Sequence, residues 1–368
     1  MQRKEKPGLI VRQQSPLNLE FPFATLSEWI VPSDQFYVRN HFASPEIDAA
    51  TWRLAVTGAV ETPLSLDLDA LKALPGTTIS AVVECAGNGR VFYEPPREGL
   101  QWQNGAVGNA SWTGVRLSEV LNRAGLRDDA LEVVIVGADK GLADGGKKTA
   151  SPGPISFARS LPLGKAMSES VLLAWAMNDE PLGVEHGYPL RAVIGGWYGM
   201  AWIKWITEIR IVTAPFLGYW QVRDYFGWDR SLGEPTIRPL TQMLVKSQIA
   251  RPVHGGTVTV GTPTRIFGAA WAGEAGIREV LVSVDNGANW EQARLIGPAT
   301  PFGWRLFEYE WIPQAEGRHV LKTRAIDNDG NVQPDTQQPD RESYAANWAA
   351  GVEVKAVPGD EPMVEFVI

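Results

Sequence analysis

The sequence holds a single cysteine, Cys85, followed by Ala86-Gly87-Asn88-Gly89-Arg90. A thiolate is a soft metal ligand and a nucleophile. Arg90 lies five residues on and can lower the thiol pKa. Glycines at 87 and 89 allow positive φ and let a bulky group approach the backbone. A lone cysteine at a strand end is also a common packing residue. Packing, however, does not call for two glycines, an asparagine and an arginine directly after the thiol, and those four favour a ligand or a nucleophile.

Several other chemistries lack their residues. Gly87-x-Gly89 has no third glycine and opens no helix, against a dinucleotide fingerprint. There is no G-x-x-x-x-G-K-[ST] and no G-x-S-x-G. His41, His186, His254 and His319 form no H-x-x-x-H pair, and one cysteine excludes an internal disulfide, C-x-x-C-H haem attachment and a cysteine-rich zinc or iron-sulfur site. A cysteine hydrolase with His41 or His186 as base stays open.

The formal net charge of -8 and the absence of basic runs interleaved with aromatics argue against nucleic-acid binding. An anionic substrate would need locally placed arginines. Fifteen tryptophans exceed what a core normally uses, so a few could line a pocket or stack on a flat cofactor. No stretch approaches the ~20 apolar residues of a membrane span, and the charged start Met1–Gly8 is not a signal peptide. A soluble protein is expected, periplasmic if a leader was removed and otherwise cytoplasmic.

The elements that must position Cys85 follow from periodicity. Thr78–Glu84 alternates as a strand that ends at the thiol. Phe36–Phe42 alternates as an edge strand, with Arg39 and His41 on its solvated face. Trp52–Val60, Leu131–Val136, Ile155–Ala158 and Val171–Met177 are further strands, while Ser65–Leu74 and Leu117–Ala124 are short helices. Gly137-Ala138-Asp139 begins a loop running to Pro154 that could form a lid. Residues 1–30 are a proline-broken arm, and 31–237 a mixed, sheet-rich α+β domain. From Arg238 short alternating strands with turn signals predict an immunoglobulin-like β-sandwich over 238–368, with a hairpin at Asp285-Asn286-Gly287.

From about Phe36 to Trp348 these pieces together resemble the sulfite oxidase family of molybdenum enzymes. The family's C-A-G-N-x-R loop matches Cys85 to Arg90, which implies Cys85 as the molybdenum ligand and Arg90 as a substrate-pocket arginine. R-N-H matches Arg39, Asn40 and His41, with Tyr37 just before them. H-G-[FY]-P-x-R matches His186 to Arg191, and V-K-W matches Ile203-Lys204-Trp205. With Asp139 in G-A-D, the resemblance implies that Tyr37, Arg39, Asn40, His41, Asp139, His186, Arg191 and Lys204 hold the pterin cofactor. It further implies Trp102, Tyr225 and Arg341 beside Arg39 and Arg90 at the substrate. Two departures stand out. Several relatives have a serine where Trp202 stands, and the family's glycine after the third arginine is Glu342 here.

The implied reaction is oxidation of sulfite to sulfate on a molybdenum cofactor without haem. Electrons would pass to an external acceptor such as a cytochrome, in a homodimer formed by the sandwich. Sulfoxide reduction, sulfane-sulfur oxidation and nitrate reduction on the same fold are alternatives, as is a non-enzymatic binding protein.

Overall fold

The computed structural model describes residues 8–143 and 150–359. The charged residues before position 8, the middle of the expected lid and the last nine residues lie outside the described residues.

Two five-stranded sheets build the pocket-bearing part. In the first, Gly76–Glu84 pairs antiparallel with Val107–Arg116, which pairs with Val171–Met177, itself flanked by Glu180–Pro181 and Arg191–Ile194. The second runs Leu64–Leu66, Leu54–Gly58, Ile206–Val212, Glu132–Gly141, Ile155–Pro162, with a single parallel pair between Ile206–Val212 and Leu54–Gly58. Val171–Met177 is buried along most of its length, so its sequence is an unbroken apolar run rather than an alternating one. The helix Leu117–Ala124 turns Leu117, Val120, Leu121 and Ala124 inward and stops at Gly125.

Beyond residue 245 lies a β-sandwich. One sheet contains Lys246–Arg251, Thr264–Trp271, Arg305–Trp311 and Arg294–Ile296. The other contains Thr257–Thr259, Val352–Val357, Gly317–Asp327, Ile277–Ser283 and Glu291–Gln292. Ile266, Ala270, Val280, Val282, Phe307 and Leu321, drawn from both sheets, meet in one apolar cluster. Thr264–Trp271 is buried on both faces. Ile266 and Ala270 point into the sandwich, whereas Phe267, Ala269 and Trp271 point the opposite way into the core beneath the pocket. The sandwich is therefore welded to the rest of the molecule by a shared sheet.

Four expected elements differ. Ser65–Leu74, expected as one helix, begins in the strand Leu64–Leu66 and is helical only over Leu68–Lys72. Phe36–Phe42 makes only the isolated bridge of Val38 to Leu19; it is tied down by side chains instead of a ladder, and Arg39 and His41 face a pocket rather than water. The strand expected to stop at Val136 continues to Gly141, because Lys140 and Gly141 resume pairing with Ser156 and Ile155 after a bulge. Asp139 thus lies in a strand and does not open a loop. The Asp285-Asn286-Gly287 turn has positive φ at Asn286 and Gly287 as expected, but the strands close around residues 284–290, a longer loop than a tight hairpin.

Candidate functional site

Cys85 leaves its strand with Glu84 still paired to Val107 and with its own N–H donating to Ala106 O at 2.8 Å. The loop after it is closed by Asn88, whose N–H donates to Cys85 O at 2.8 Å, whose Nδ2 donates to Glu84 Oε1 at 3.0 Å, and whose Oδ1 accepts from Ala106 N at 3.1 Å. Glu84 is fully used: Lys246 Nζ donates to Oε1 at 2.8 Å and Trp271 Nε1 to Oε2 at 2.9 Å. The thiol is thus mounted on a buried polar network that reaches into the sandwich.

The loop glycines have a use the sequence does not reveal. A Cβ on Gly87 would lie 2.6 Å from the Arg90 guanidinium, and one on Gly99 would lie 2.9 Å from it. The bulky group that these glycines admit is Arg90. Its Nε donates to Ser343 O at 3.0 Å, its Nη1 to Leu100 O at 2.8 Å, and its Cζ lies 5.0 Å from the centre of the Tyr344 ring. Arg90 does not line the pocket. Nor does it make the thiol acidic. Burial pushes the Cys85 pKa up, and Arg39, the Gly87 N–H and Arg90 only partly offset this.

One pocket gathers most of the remaining residues, with Tyr37, Arg39, Asn40, His41, Asp139, His186, Arg191, Lys204 and Tyr225 on its wall beside Cys85. The segment bearing Arg39 to His41 is pinned through Asn40, whose N–H donates to Asn18 Oδ1 at 2.8 Å and whose Nδ2 donates to Glu185 Oε2 at 2.9 Å. Lys204 Nζ donates to Asn40 Oδ1 and, at 2.9 Å, to Glu185 O. His41 stacks on Phe157 at 4.2 Å and shares a 2.5 Å hydrogen bond between Nε2 and the Tyr225 hydroxyl. Burial, with Arg39 and Lys204 nearby, holds its pKa well below the usual value, so the ring is neutral at pH 7.

The 3₁₀ turn Val184–His186 ends at Gly187, whose φ of 106 needs glycine. It presents the His186 carbonyl to Arg191 Nη1 at 3.1 Å. Arg191 Cζ lies 4.7 Å from the Trp112 ring centre, and its Nε is buried with no partner among the described residues. Burial drives the Lys204 pKa down to about 7, assisted by Arg191. Burial also lifts Asp139 to about 6, against the pull of Lys204.

Besides Arg90, two more expected pocket residues lie elsewhere. Trp102 is fully buried behind Tyr37, ring centres 6.4 Å apart, and does not reach the pocket wall. Arg341 ends the 3₁₀ turn Pro339–Arg341, partly exposed, close enough to act electrostatically on Tyr93 and Tyr198 but off the wall. Its position is set by the bowed chain at Glu342, with φ of 52, which carries Tyr344 inward instead. Glu185 and Met200 line the pocket without having been singled out, and Trp202, noted above only as a departure, lines it as well. The adjacent H-G-Y-P-x-R and K-W motifs were the only available signal for them.

The pocket thus sets the thiol on one wall with the half-buried Arg39 and Lys204 and the buried Arg191, which carries an unpaired donor. Among the described residues no group of three or more His, Cys, Asp and Glu is placed to hold a metal ion. The donor set suits a metal delivered within an anionic, hydrogen-bonding organic cofactor, with one soft ligand from the protein.

Comparison with known proteins points the same way. Residues 41–220 match the oxidoreductase molybdopterin binding domain, and residues 238–354 the Mo-co oxidoreductase dimerisation domain. The chain is 35% identical to mitochondrial sulfite oxidase of Mus musculus, over 90% of this chain and 62% of that protein. It spans about three-fifths of that relative's length. It is 30% identical to sulfite oxidase of Arabidopsis thaliana, over 89% of this chain and 88% of the relative. The crystal structure of the sulfane dehydrogenase SoxCD from Paracoccus pantotrophus superimposes with a TM-score of 0.78 at 30% identity, covering 95% of this chain and 87% of that one.

Proposed function

The chain belongs to the sulfite oxidase family of molybdopterin oxidoreductases, and we propose from that membership that it oxidises sulfite to sulfate. One observation carries the reading: Arg39, Tyr225 and the Cys85 thiol share one pocket wall. Burial disfavours the Arg39 charge, yet Tyr225, Cys85, Tyr344 and Asp224 together outweigh it, so a cation stands beside the thiol.

In this reading Cys85 is the protein's ligand to molybdenum. Asn40, Asp139, His186, Arg191 and Lys204, with Tyr37 and His41, hold the organic part. The unpaired Arg191 Nε, with Lys204 when protonated, would donate to its anionic groups. The molybdenum cofactor supplies the redox chemistry, in which sulfite and water become sulfate with release of two protons and two electrons. Arg39 attracts and orients the oxyanion. Tyr225 offers its hydroxyl to a substrate oxygen, kept in line by His41, which as a neutral ring adds no competing charge. Phe157 and Trp220 close over His41 and exclude water from that end. The electrons leave to an external acceptor such as a cytochrome. We place the boundary between the pocket-bearing domain and the sandwich at 237/238, after an arm over 1–30, and assign dimer formation to the sandwich. Among the described residues no helix is long and apolar enough to cross a membrane.

A second reading, oxidation of sulfane sulfur, is favoured by a specific observation: of Arg39, Arg90 and Arg341, Arg39 alone lines the pocket, leaving fewer charges for a small oxyanion. The test is turnover with an artificial acceptor by protein from a cofactor-producing host. Sulfite is assayed beside a sulfane donor, a sulfoxide and nitrate. Fastest turnover of sulfite supports the proposal; faster turnover of any other substrate overturns it.

A further inference from the structure

Tyr344 lies in the sandwich part of the sequence, yet its side chain stands against Tyr225. The ring centres are 4.9 Å apart at 36°, and the Tyr344 hydroxyl donates to the Asp224 carboxylate. The ring also receives Arg90, with Cζ 5.0 Å from the ring centre. The backbone around it is tied to the cysteine loop. Ala345 N donates to Ala86 O at 2.7 Å, Tyr93 OH donates to Tyr344 O at 2.5 Å, and Arg90 Nε donates to Ser343 O at 3.0 Å. Glu342 and Ala345, on either side of Ser343–Tyr344, both hold positive φ, 52 and 55, so the segment bows into the molecule instead of running straight.

Tyr344 and its backbone neighbours thus contact both the loop after Cys85 and Asp224–Tyr225. Cys85, expected at the metal, and Tyr225, expected at the substrate, lie in segments about 140 residues apart in sequence, and Tyr344 with its neighbours touches the holders of both. It is also the reason Arg90 is turned from the pocket, since the ring and the Ser343 and Leu100 carbonyls occupy its guanidinium.

We propose that Tyr344 is a positioning residue for the substrate pocket: it fixes Tyr225 relative to the Cys85 loop, and thereby sets how well a small sulfur oxyanion fits. The inference rests on the function proposed above only for the identity of that oxyanion. Because Tyr344 does not line the pocket, its effect passes through Tyr225.

The test uses the cofactor-loaded protein as Tyr344→Leu, which removes the ring contact, and Tyr344→Phe, which keeps the ring and removes the bond to Asp224. Each is made in wild type and in Tyr225→Phe. In wild type, Tyr344→Leu should raise KM for sulfite about tenfold, with a smaller change in kcat, and Tyr344→Phe should raise it less. In Tyr225→Phe the added cost of either change should vanish. The same cost in both backgrounds, or no change in KM, overturns the proposal. Hydrogen exchange followed by mass spectrometry gives a second readout that needs no turnover. Tyr344→Leu should speed exchange in residues 219–229 and 86–93 and leave Gly317–Asp327 unchanged; no local change overturns the proposal. Absence of sulfite turnover in the parent would sink the proposed function, and the exchange result would still decide this inference.

Discussion

Lys246 Nζ lies 2.8 Å from Glu84 Oε1, and this ion pair, buried at both ends, joins the first strand of the sandwich to the residue immediately before Cys85. The pair is also hydrogen-bonded by Asn88 and Trp271, so neither the carboxylate nor its partner is exposed to water. Removing one partner strands a buried charge. Lys246→Met should therefore cost about 3–5 kcal/mol of unfolding free energy, measured by urea denaturation. Adding Glu84→Gln should recover part of it, and a loss no greater than that of an exposed ion pair would show that the network does not bear on stability.

The Lys204 ammonium gives a pH dependence. Its pKa falls from 10.5 to about 7 on folding, chiefly through burial. Between those values the unfolded chain carries the proton and the folded protein does not, so stability rises with pH across that window and the penalty is complete below it. Lys204→Met removes the penalty. In cofactor-free protein the variant should gain stability over wild type at pH 6.5, and the gain should shrink by pH 9. A gain that is constant or grows with pH contradicts the assignment.

Much of this was legible in the sequence, for physical reasons that differ by element. The helix Leu117–Ala124 and the strand Val171–Met177 announce themselves through apolar periodicity and a glycine or Asn-Asp stop, and the structure keeps both boundaries. Phe36–Phe42 misleads because its alternation reflects side chains divided between core and pocket, with tethers such as Asn40 replacing a ladder. The position of Arg90 could not be read, since it depends on space left by Gly99 and carbonyls at Leu100 and Ser343. Tyr344 escapes notice for the same reason. Its contact with Tyr225 exists only once the sandwich has folded against the pocket.

Arg39 and Arg90 should behave differently on substitution. Arg39 lines the pocket, so Arg39→Gln should raise KM for sulfite about ten- to a hundredfold, the worth of a charge-assisted hydrogen bond. Arg90→Gln breaks donors to two carbonyls, so its larger effect should be on thermal stability. Steady-state kinetics and melting curves on both variants separate the roles. A larger KM effect from Arg90 than from Arg39 would return Arg90 to the substrate.

The sandwich matches a dimerisation domain, and a homodimer is expected. Light scattering at micromolar concentration should report twice the 40.3 kDa chain mass. A mass of one chain would count against an assembly role for residues 238–354.

X-ray absorption at the molybdenum edge tests the assignment of Cys85 most directly, on protein from a cofactor-producing host with Cys85→Ser beside it. Wild type should show one more sulfur neighbour of molybdenum than the variant, which should stay folded, keep the pterin and lose sulfite turnover. Equal sulfur counts in the two proteins, or full sulfite turnover by Cys85→Ser, would contradict a site built around this thiol.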